Sequence, residues 1–383
     1  MNQPAVLEVH NLRKYFPIGN NTLLHKATKQ VHAVDDVSFC LEKGEVLAVV
    51  GESGCGKSTL ALTLLGLERP TAGQIIFNQQ DVTNLNGAAL KAMRQQIQMV
   101  FQDPYESLNP LMTIGEIVAE PLLVHGLAKP KNERQQRVQK ALEDAGLKPV
   151  DNYINRRPHE LSGGQRQRVV IASALVLEPS LLLADEPVSM LDVSIRAEIL
   201  NLLADLRVQR GISILFITHD LSTVASFADR VAVMYLGRIV EEGDADRLFA
   251  DPRHPYTQAL VSASPTPGQR NARRILLQGE PPNPAARPTG CPFHPRCAVA
   301  MPQCAATVTW ILPRFHRLGR PRMRRPCLHR PRHPLRQGTT PNDKARHERS
   351  THPDDGAIPC DPRGQSRRIA VLSHGRFLRD VLR

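Results

Sequence analysis

Short apolar runs alternate with longer helical patterns over residues 1 to about 250. The runs Val46–Val50, 181–184 and 212–218 have the length of strands, and their alternation with helices predicts an α/β domain built on a mostly parallel sheet. Residues 85 to about 150 read as mainly helical, with 134–145 amphipathic and closed by Gly146, so a helical subdomain is expected over about 85–165. After Gly243 the pattern weakens, and the proline-dense stretch 281–295 reads as extended linker rather than packed element. From about Ala305 the chain turns to Arg, Pro and His with no sustained period, which reads as a disordered tail. The expected division is 5–250, 251–304 and 305–383.

No apolar run approaches the ~18 residues of a membrane span. The start, MNQPAVLEVHNLRKYF, has no apolar stretch behind basic residues and no small-residue cleavage site, so a cytoplasmic protein is expected. A length of 383 residues leaves ample room for a core. The net charge of +12 would suggest a nucleic-acid or anionic-membrane partner, but its location changes that inference. Residues 1–305 hold 31 Lys+Arg and 31 Asp+Glu, whereas the remaining 78 hold 18 and 6. The main body is therefore neutral and no nucleic-acid partner is expected. Seven cysteines, unevenly placed, do not make a disulfide scaffold and are expected reduced.

Candidate chemistry begins with GESGCGKST at residues 51–59, directly after the run Val46–Val50 and opening a helical pattern. Gly51, Gly54 and Gly56 let the backbone turn tightly and aim N–H groups at phosphate oxygens, and the helix N-terminus adds partial positive charge. Lys57 would reach the β and γ phosphates, and the Ser58 hydroxyl would be a Mg²⁺ ligand. The run 181–184 ends in Asp185-Glu186-Pro187, where Asp185 suits holding Mg²⁺ and Glu186 suits polarising an attacking water. Two acids after a strand can also be a solvated turn. The run 212–218 ends in His219-Asp220; a lone histidine is commonly structural, but here a third polar group arrives at the same sheet edge. Leu161-Ser162-Gly163-Gly164-Gln165 precedes another helical run and offers a second anion-binding end. One phosphate chain hardly needs two cradles from one subunit, so each is expected to serve opposite faces of a nucleotide shared by two copies.

These residues resemble the ABC ATPase family over about 5–304. GESGCGKST resembles its Walker A motif, LSGGQ its signature, LLLADE its Walker B, SMLD with Asp192 its D-loop, His219 its switch histidine and Gln102 its Q-loop glutamine. The resemblance implies a P-loop NTPase fold with an inserted helical subdomain. It also implies ATP and Mg²⁺ as ligands, held by Gly51, Glu52, Ser53, Gly54, Cys55, Gly56, Lys57, Ser58 and Thr59, with Ser58, Gln102 and Asp185 toward the metal. Glu186, His219 and Gln102 would carry catalysis. Ser162, Gly163 and Gly164 of one subunit would close over ATP held by the other in a head-to-tail dimer, and the nucleotide-binding set also takes in Gln165 and Asp192. Phe16 falls where the family places an aromatic under adenine, with Tyr15 the alternative.

VFQDPYESLNPLMTIGEIVAEPL, SMLDVSIRAEILNLL, HPYTQAL and GCPFHPRC resemble the peptide and nickel importer ATPases within that family. This implies integral-membrane permease partners, an identical or paralogous second ATPase subunit, an indirect link to a periplasmic or surface solute-binding protein, and a peripheral place on the cytoplasmic face of the plasma membrane. Dipeptide, oligopeptide, glutathione and nickel all remain open as cargo. Met190 stands where the family commonly has alanine, near the expected dimer seam. Cys55, at a helix N-terminus, is expected to be a reactive thiol. Cys291, Cys297 and Cys304, with Cys327, offer four thiolates to an iron–sulfur cluster or zinc, although unliganded cysteines are the favoured reading. The resemblance ends after Cys304, which suggests a reading-frame change or degenerate end, with a basic arm for phospholipid or RNA as the competing idea. A soluble ABC ATPase of repair or translation is the other functional class; one motif set and no sustained heptads argue against it. A non-catalytic regulatory subunit is opposed by intact Lys57, Asp185, Glu186 and His219.

Overall fold

The computed structural model describes residues 5–18, 29–127, 130–264 and 275–306. The expectations for Cys327 and for the tail beyond residue 306 lie outside them. In chain order the strands are β1 (Ala5–Ile18), β2 (Lys29–Glu42), β3 (Val46–Val50), β4 (Ala72–Phe77), β5 (Gln80–Asp81), β6 (Ile97–Val100), β7 (Leu181–Asp185), β8 (Ser213–Thr218), β9 (Arg230–Tyr235) and β10 (Arg238–Asp244). The larger sheet has the order β10-β9-β3-β8-β7-β6. Its strands β9, β3, β8, β7 and β6 are parallel, and β10 is an antiparallel edge.

Every residue of β3, β7 and β8 is buried, which is why these strands read as unbroken apolar runs. Successive side chains point to opposite faces, so each strand feeds two cores. Val46, Ala48, Val50, Ile214 and Phe216 enter one, closed by the helices Ile114–His125, Gly163–Leu175 and Val193–Arg210. Leu47, Val49, Leu183, Leu215 and Ile217 enter the other, closed by the helix Lys57–Leu64 and the second sheet.

That second sheet, antiparallel with the order β2-β1-β4-β5, is not evident from the hydrophobic pattern. Its long strands are bulged. Asn11 and Asp36 adopt φ of 48° and 65°, and the pairing of β1 with β2 shifts between Val9 and Leu12. The Asn11 amide donates to Asp36 Oδ1 at 3.2 Å beside this shift. Each bulge moves the inward-facing phase by one residue and breaks the period of two.

The stretch read as mainly helical from Leu85 contains the buried strand β6, which pairs with β7. Beyond it lie the helices Ile114–His125, Lys131–Asp144 and Gly163–Leu175. The first opens on a capping box between Thr113 and Glu116 and stops at Gly126, φ 70°.

The proline-dense stretch 281–295 departs from the linker expectation, because its side chains pack into the domain. Phe293 is 2% exposed, with ring centroids 5.3 Å from Tyr235, 5.4 Å from Tyr256 and 5.7 Å from His254. Arg287 pairs with the buried Asp35 of β2, which also accepts Tyr15 Oη at 2.5 Å and Arg238 Nε at 2.7 Å. Burial alone would raise the Asp35 carboxyl, but the Tyr15 and Arg238 hydrogen bonds and the two guanidinium charges hold it at about 2. Prolines give this segment an extended path, so it can bury a few long side chains without forming regular structure.

Candidate functional site

Strands β3, β8, β7 and β6 are adjacent, with Val50 opposite Thr218, Ile217 opposite Asp185 and Ala184 opposite Val100. The residues that follow them therefore emerge along one edge: the phosphate loop after β3, His219 after β8, Glu186 after β7 and Gln102 after β6. This is the carboxyl edge of a parallel sheet, where open α/β folds place ligands.

The loop 51–56 leaves β3 and enters the helix Lys57–Leu64 through Gly56, φ 107°. A Cβ at Gly56 would lie 2.0 Å from the Ala33 carbonyl oxygen, so only glycine allows the loop this close to β2. Ser53, Gly54 and Ser58 are exposed, and Thr59 is half-buried in the first turn. Lys57 is buried, and its Nζ donates to the carbonyls of Gly51 at 2.8 Å and Glu52 at 3.1 Å. The ammonium is folded back across the loop at a helix N-terminus, which is the position needed to meet phosphate oxygens.

Cys55 corrects an expectation. It is 5% exposed, 3.8 Å from Lys57 Nζ, and burial raises its thiol despite the nearby ammonium and helix terminus. Desolvation of the thiolate outweighs both attractions, so a reactive thiol does not follow.

Glu186 is the centre of the polar edge. Gln102 Nε2 donates to its Oε2 at 3.0 Å, and His219 Nδ1 lies 3.0 Å from its Oε1. Each oxygen keeps a lone pair with which to accept a water proton. The Glu186 N–H donates to the Ile217 carbonyl at 2.8 Å, and φ of 47° then turns the chain sharply out of the sheet. A non-glycine residue in this region costs about 1–3 kcal/mol, strain of a kind that concentrates at functional sites.

Asp185, one residue earlier, is 6% exposed. Burial pushes its carboxyl up, with the Glu186 charge adding to the effect and the Ser58 hydroxyl and Lys57 opposing it. Its Oδ1 is buried without a hydrogen-bond partner. An orphaned carboxylate oxygen beside a serine hydroxyl fits a Mg²⁺ ion, which takes one or two protein oxygens and keeps most of its waters. Among the described residues no group of three or more His, Cys, Asp or Glu could hold a metal, and Mg²⁺ in this setting needs none. Because the ionised carboxylate is penalised, Asp185→Asn is expected to raise the melting temperature of the nucleotide-free protein by a few degrees. The same change is expected to abolish the Mg²⁺-dependent part of nucleotide affinity. Calorimetry with and without Mg-ATP measures both.

Tyr15 and Phe16 alternate on β1. Tyr15 is turned to Asp35 and stacks near His32, ring centroids 4.0 Å apart, and its hydroxyl is pushed up to about 12 by burial and the Asp35 hydrogen bond. Phe16 carries Lys14 Nζ 4.7 Å from its ring centroid and pairs with Val31, two residues before the Ala33 that touches the phosphate loop. Phe16 is half-buried and has no hydroxyl to tie it to Asp35.

Ser162 caps the helix Gly163–Leu175. Its Oγ accepts the Gln165 N–H at 3.3 Å, and Gln165 Oε1 accepts the Ser162 N–H at 3.0 Å. The Gln165 side chain is therefore engaged in the cap. A Cβ at Gly164 would lie 2.6 Å from Ile195 Cγ2, and one at Gly163 would approach Tyr105 and Leu191. The signature thus packs on the start of the helix Val193–Arg210, with exposed Asp192 at its N-cap and Met190 and Val193 exposed by 59% and 80%. The phosphate loop, Gln102, Asp185, Glu186 and His219 gather at one edge. The packing neighbours of the signature are Tyr105, Leu191 and Ile195, and Arg196, on the same helix as Ile195, pairs with Asp220 at 2.9 Å, beside His219.

The sequence did not signal that the far C-terminal segment reaches the phosphate loop, where Glu52 meets Tyr256 and Arg296. The one available sign was Phe293, an aromatic placed between prolines. Cys291, Cys297 and Cys304 flank this contact without forming a metal-holding group. The Cys291 N–H donates to the Cys304 carbonyl at 2.8 Å, and burial raises the Cys291 thiol. The iron–sulfur or zinc expectation gains no support from them.

Residues 34–189 match the family model described as ABC transporter, and residues 240–304 match the model of the oligopeptide/dipeptide transporter C-terminal region. The oligopeptide transport ATP-binding protein AppF of Bacillus subtilis is 50% identical over 307 residues, 79% of this chain and 92% of that protein. The dipeptide transport ATP-binding protein DppF of Escherichia coli K12 is 48% identical over 296 residues, 77% of this chain and 87% of that one. Among solved structures, the ATP-binding cassette MJ0796, a dimer in a post-hydrolysis state bound to ADP and Pi, superposes with a TM-score of 0.55 at 30% identity. That match covers 62% of this chain and 98% of the cassette.

Proposed function

The chain belongs to the ABC transporter family of ATP-binding subunits, and we propose that it hydrolyses Mg-ATP at the edge carrying Lys57, Asp185 and Glu186 to drive an importer of peptides. The observation that carries the chemical part is the Glu186 carboxylate, held between Gln102 and His219 at 3.0 Å on each side. The peptide cargo is supported by the similarity to AppF and DppF and by the match over residues 240–304.

In this account the N–H groups of 51–59 and Lys57 bind the phosphate chain, and Phe16 supports the nucleobase. Ser58 and Asp185 hold Mg²⁺, which offsets phosphate charge when bound. Glu186 accepts a proton from the attacking water while Gln102 and His219 keep its oxygens aimed, since phosphoryl transfer depends on positioning and electrostatic stabilisation. Gln102 also leads into a short cap: Asp103 accepts the Tyr105 N–H at 2.7 Å, and the Arg166 guanidinium lies 4.2 Å from the Tyr105 ring centroid. This path joins the hydrolytic edge to the signature helix, so a change at Glu186 has a mechanical route to the helical subdomain.

The signature, Asp192 and the exposed Met190 and Val193 are assigned to a second ATPase subunit. Supporting this, the signature offers an anion-binding helix N-terminus other than the one that the phosphate loop enters, and Met190 and Val193 beside it are apolar and exposed. No described helix is long and apolar enough to cross a membrane, so the solute path is assigned to permease subunits. Tagged chain isolated from solubilised membranes is expected to bring integral-membrane permease subunits and an ATPase partner with it. Recovery of the chain from the soluble fraction alone, without either, would favour the non-transport class.

A further inference from the structure

Glu52, the second residue of the phosphate loop, is held from two directions. Within the loop, its carbonyl accepts Lys57 Nζ at 3.1 Å and the Cys55 N–H at 3.3 Å. From outside, its N–H donates to Tyr256 Oη at 2.9 Å. Its carboxylate meets Arg296 with two bonds, Nη1 to Oε2 at 2.7 Å and Nη2 to Oε1 at 3.1 Å. The Arg296 side chain is 6% exposed, and its Nε donates to the Gln278 carbonyl at 3.3 Å. A planar guanidinium that engages a carboxylate twice fixes direction as well as distance, which an ammonium cannot do.

We propose that Arg296 is a positioning residue of the ATP site: by holding Glu52 it fixes the peptide carbonyl that orients Lys57. Arg296, 244 residues along the chain from Glu52, is then part of the phosphate-binding apparatus rather than an anchor alone. Simple attachment of the segment is already provided elsewhere, by Phe293 in its aromatic cluster and by Arg287 on Asp35. Unlike these, the Arg296 contact falls on the loop whose backbone must be exact for phosphate to bind. The inference rests on the assignment of that loop to ATP.

The test is calorimetric titration of the full chain with Mg-ADP, which is not hydrolysed, together with melting of the nucleotide-free proteins. Arg296→Gln is expected to weaken Mg-ADP about tenfold and Arg296→Lys to recover only part of the loss. The exchange of Glu52→Arg with Arg296→Glu is expected to recover most of it. Arg287→Gln, which loosens the same segment away from the loop, is expected to lower the melting temperature and leave Mg-ADP affinity unchanged. Wild-type affinity in Arg296→Gln, or equal weakening in Arg287→Gln, overturns the proposal. Should Arg296→Gln fail to fold, the Arg296→Lys titration decides the matter, with wild-type affinity again overturning it. Wild-type chain that does not bind Mg-ADP removes the ATP assignment itself, whereas unaffected variants remove only the role of Arg296.

Discussion

Glu186→Gln is expected to slow ATP turnover by about 100-fold or more while Mg-ATP binding survives. The amide keeps the size of the carboxylate and can still meet Gln102 and His219, so the edge holds its shape. It cannot take a proton from the attacking water, so the loss falls on the chemical step. In the terms of mutant kinetics, kcat drops and nucleotide affinity does not. Phosphate release under saturating Mg-ATP, paired with a binding titration, measures the two separately. Turnover equal to wild type would remove Glu186 from the chemistry.

Lys57→Ala is expected to act the other way, weakening Mg-ATP by about 100-fold or more. A hydrogen bond to a charged group contributes about 1.5–3 kcal/mol, and Lys57 is placed to give two such contacts to the phosphate chain. The change also removes the ammonium that ties the Gly51 and Glu52 carbonyls together, so the loop loses its internal brace. Equilibrium titration with Mg-ATP checks the expectation; retained affinity would mean that phosphate binds elsewhere.

Much of the polar edge is legible in the sequence because its residues sit immediately after strands buried on both faces. Those strands announce themselves as unbroken apolar runs, and the polar residue that follows each one must emerge at the same edge. Gly51, Asp185, Glu186 and His219 can be placed at that edge in this way, whereas Gln102 is reached only through resemblance, since β6 is four residues long and carries a polar Gln98. What periodicity missed has a common cause. The bulges at Asn11 and Asp36 shift the phase of β1 and β2, so the antiparallel sheet leaves no clean alternation. The C-terminal segment packs through a few isolated side chains, Arg287, Phe293 and Arg296, on an irregular backbone that has no period. Cys55 failed for an energetic reason: a motif gives its place at a helix terminus, but only the packed structure gives the burial that outweighs it.

We propose that one nucleotide is gripped by the phosphate loop of one subunit and the signature helix of another. Sedimentation of Glu186→Gln chain, alone and mixed with the ATPase subunit that co-purifies with it, tests this most directly. The account predicts that Mg-ATP doubles the mass in at least one of these samples and that Mg-ADP does not. Single-subunit mass in both samples, with Mg-ATP demonstrably bound, would contradict it.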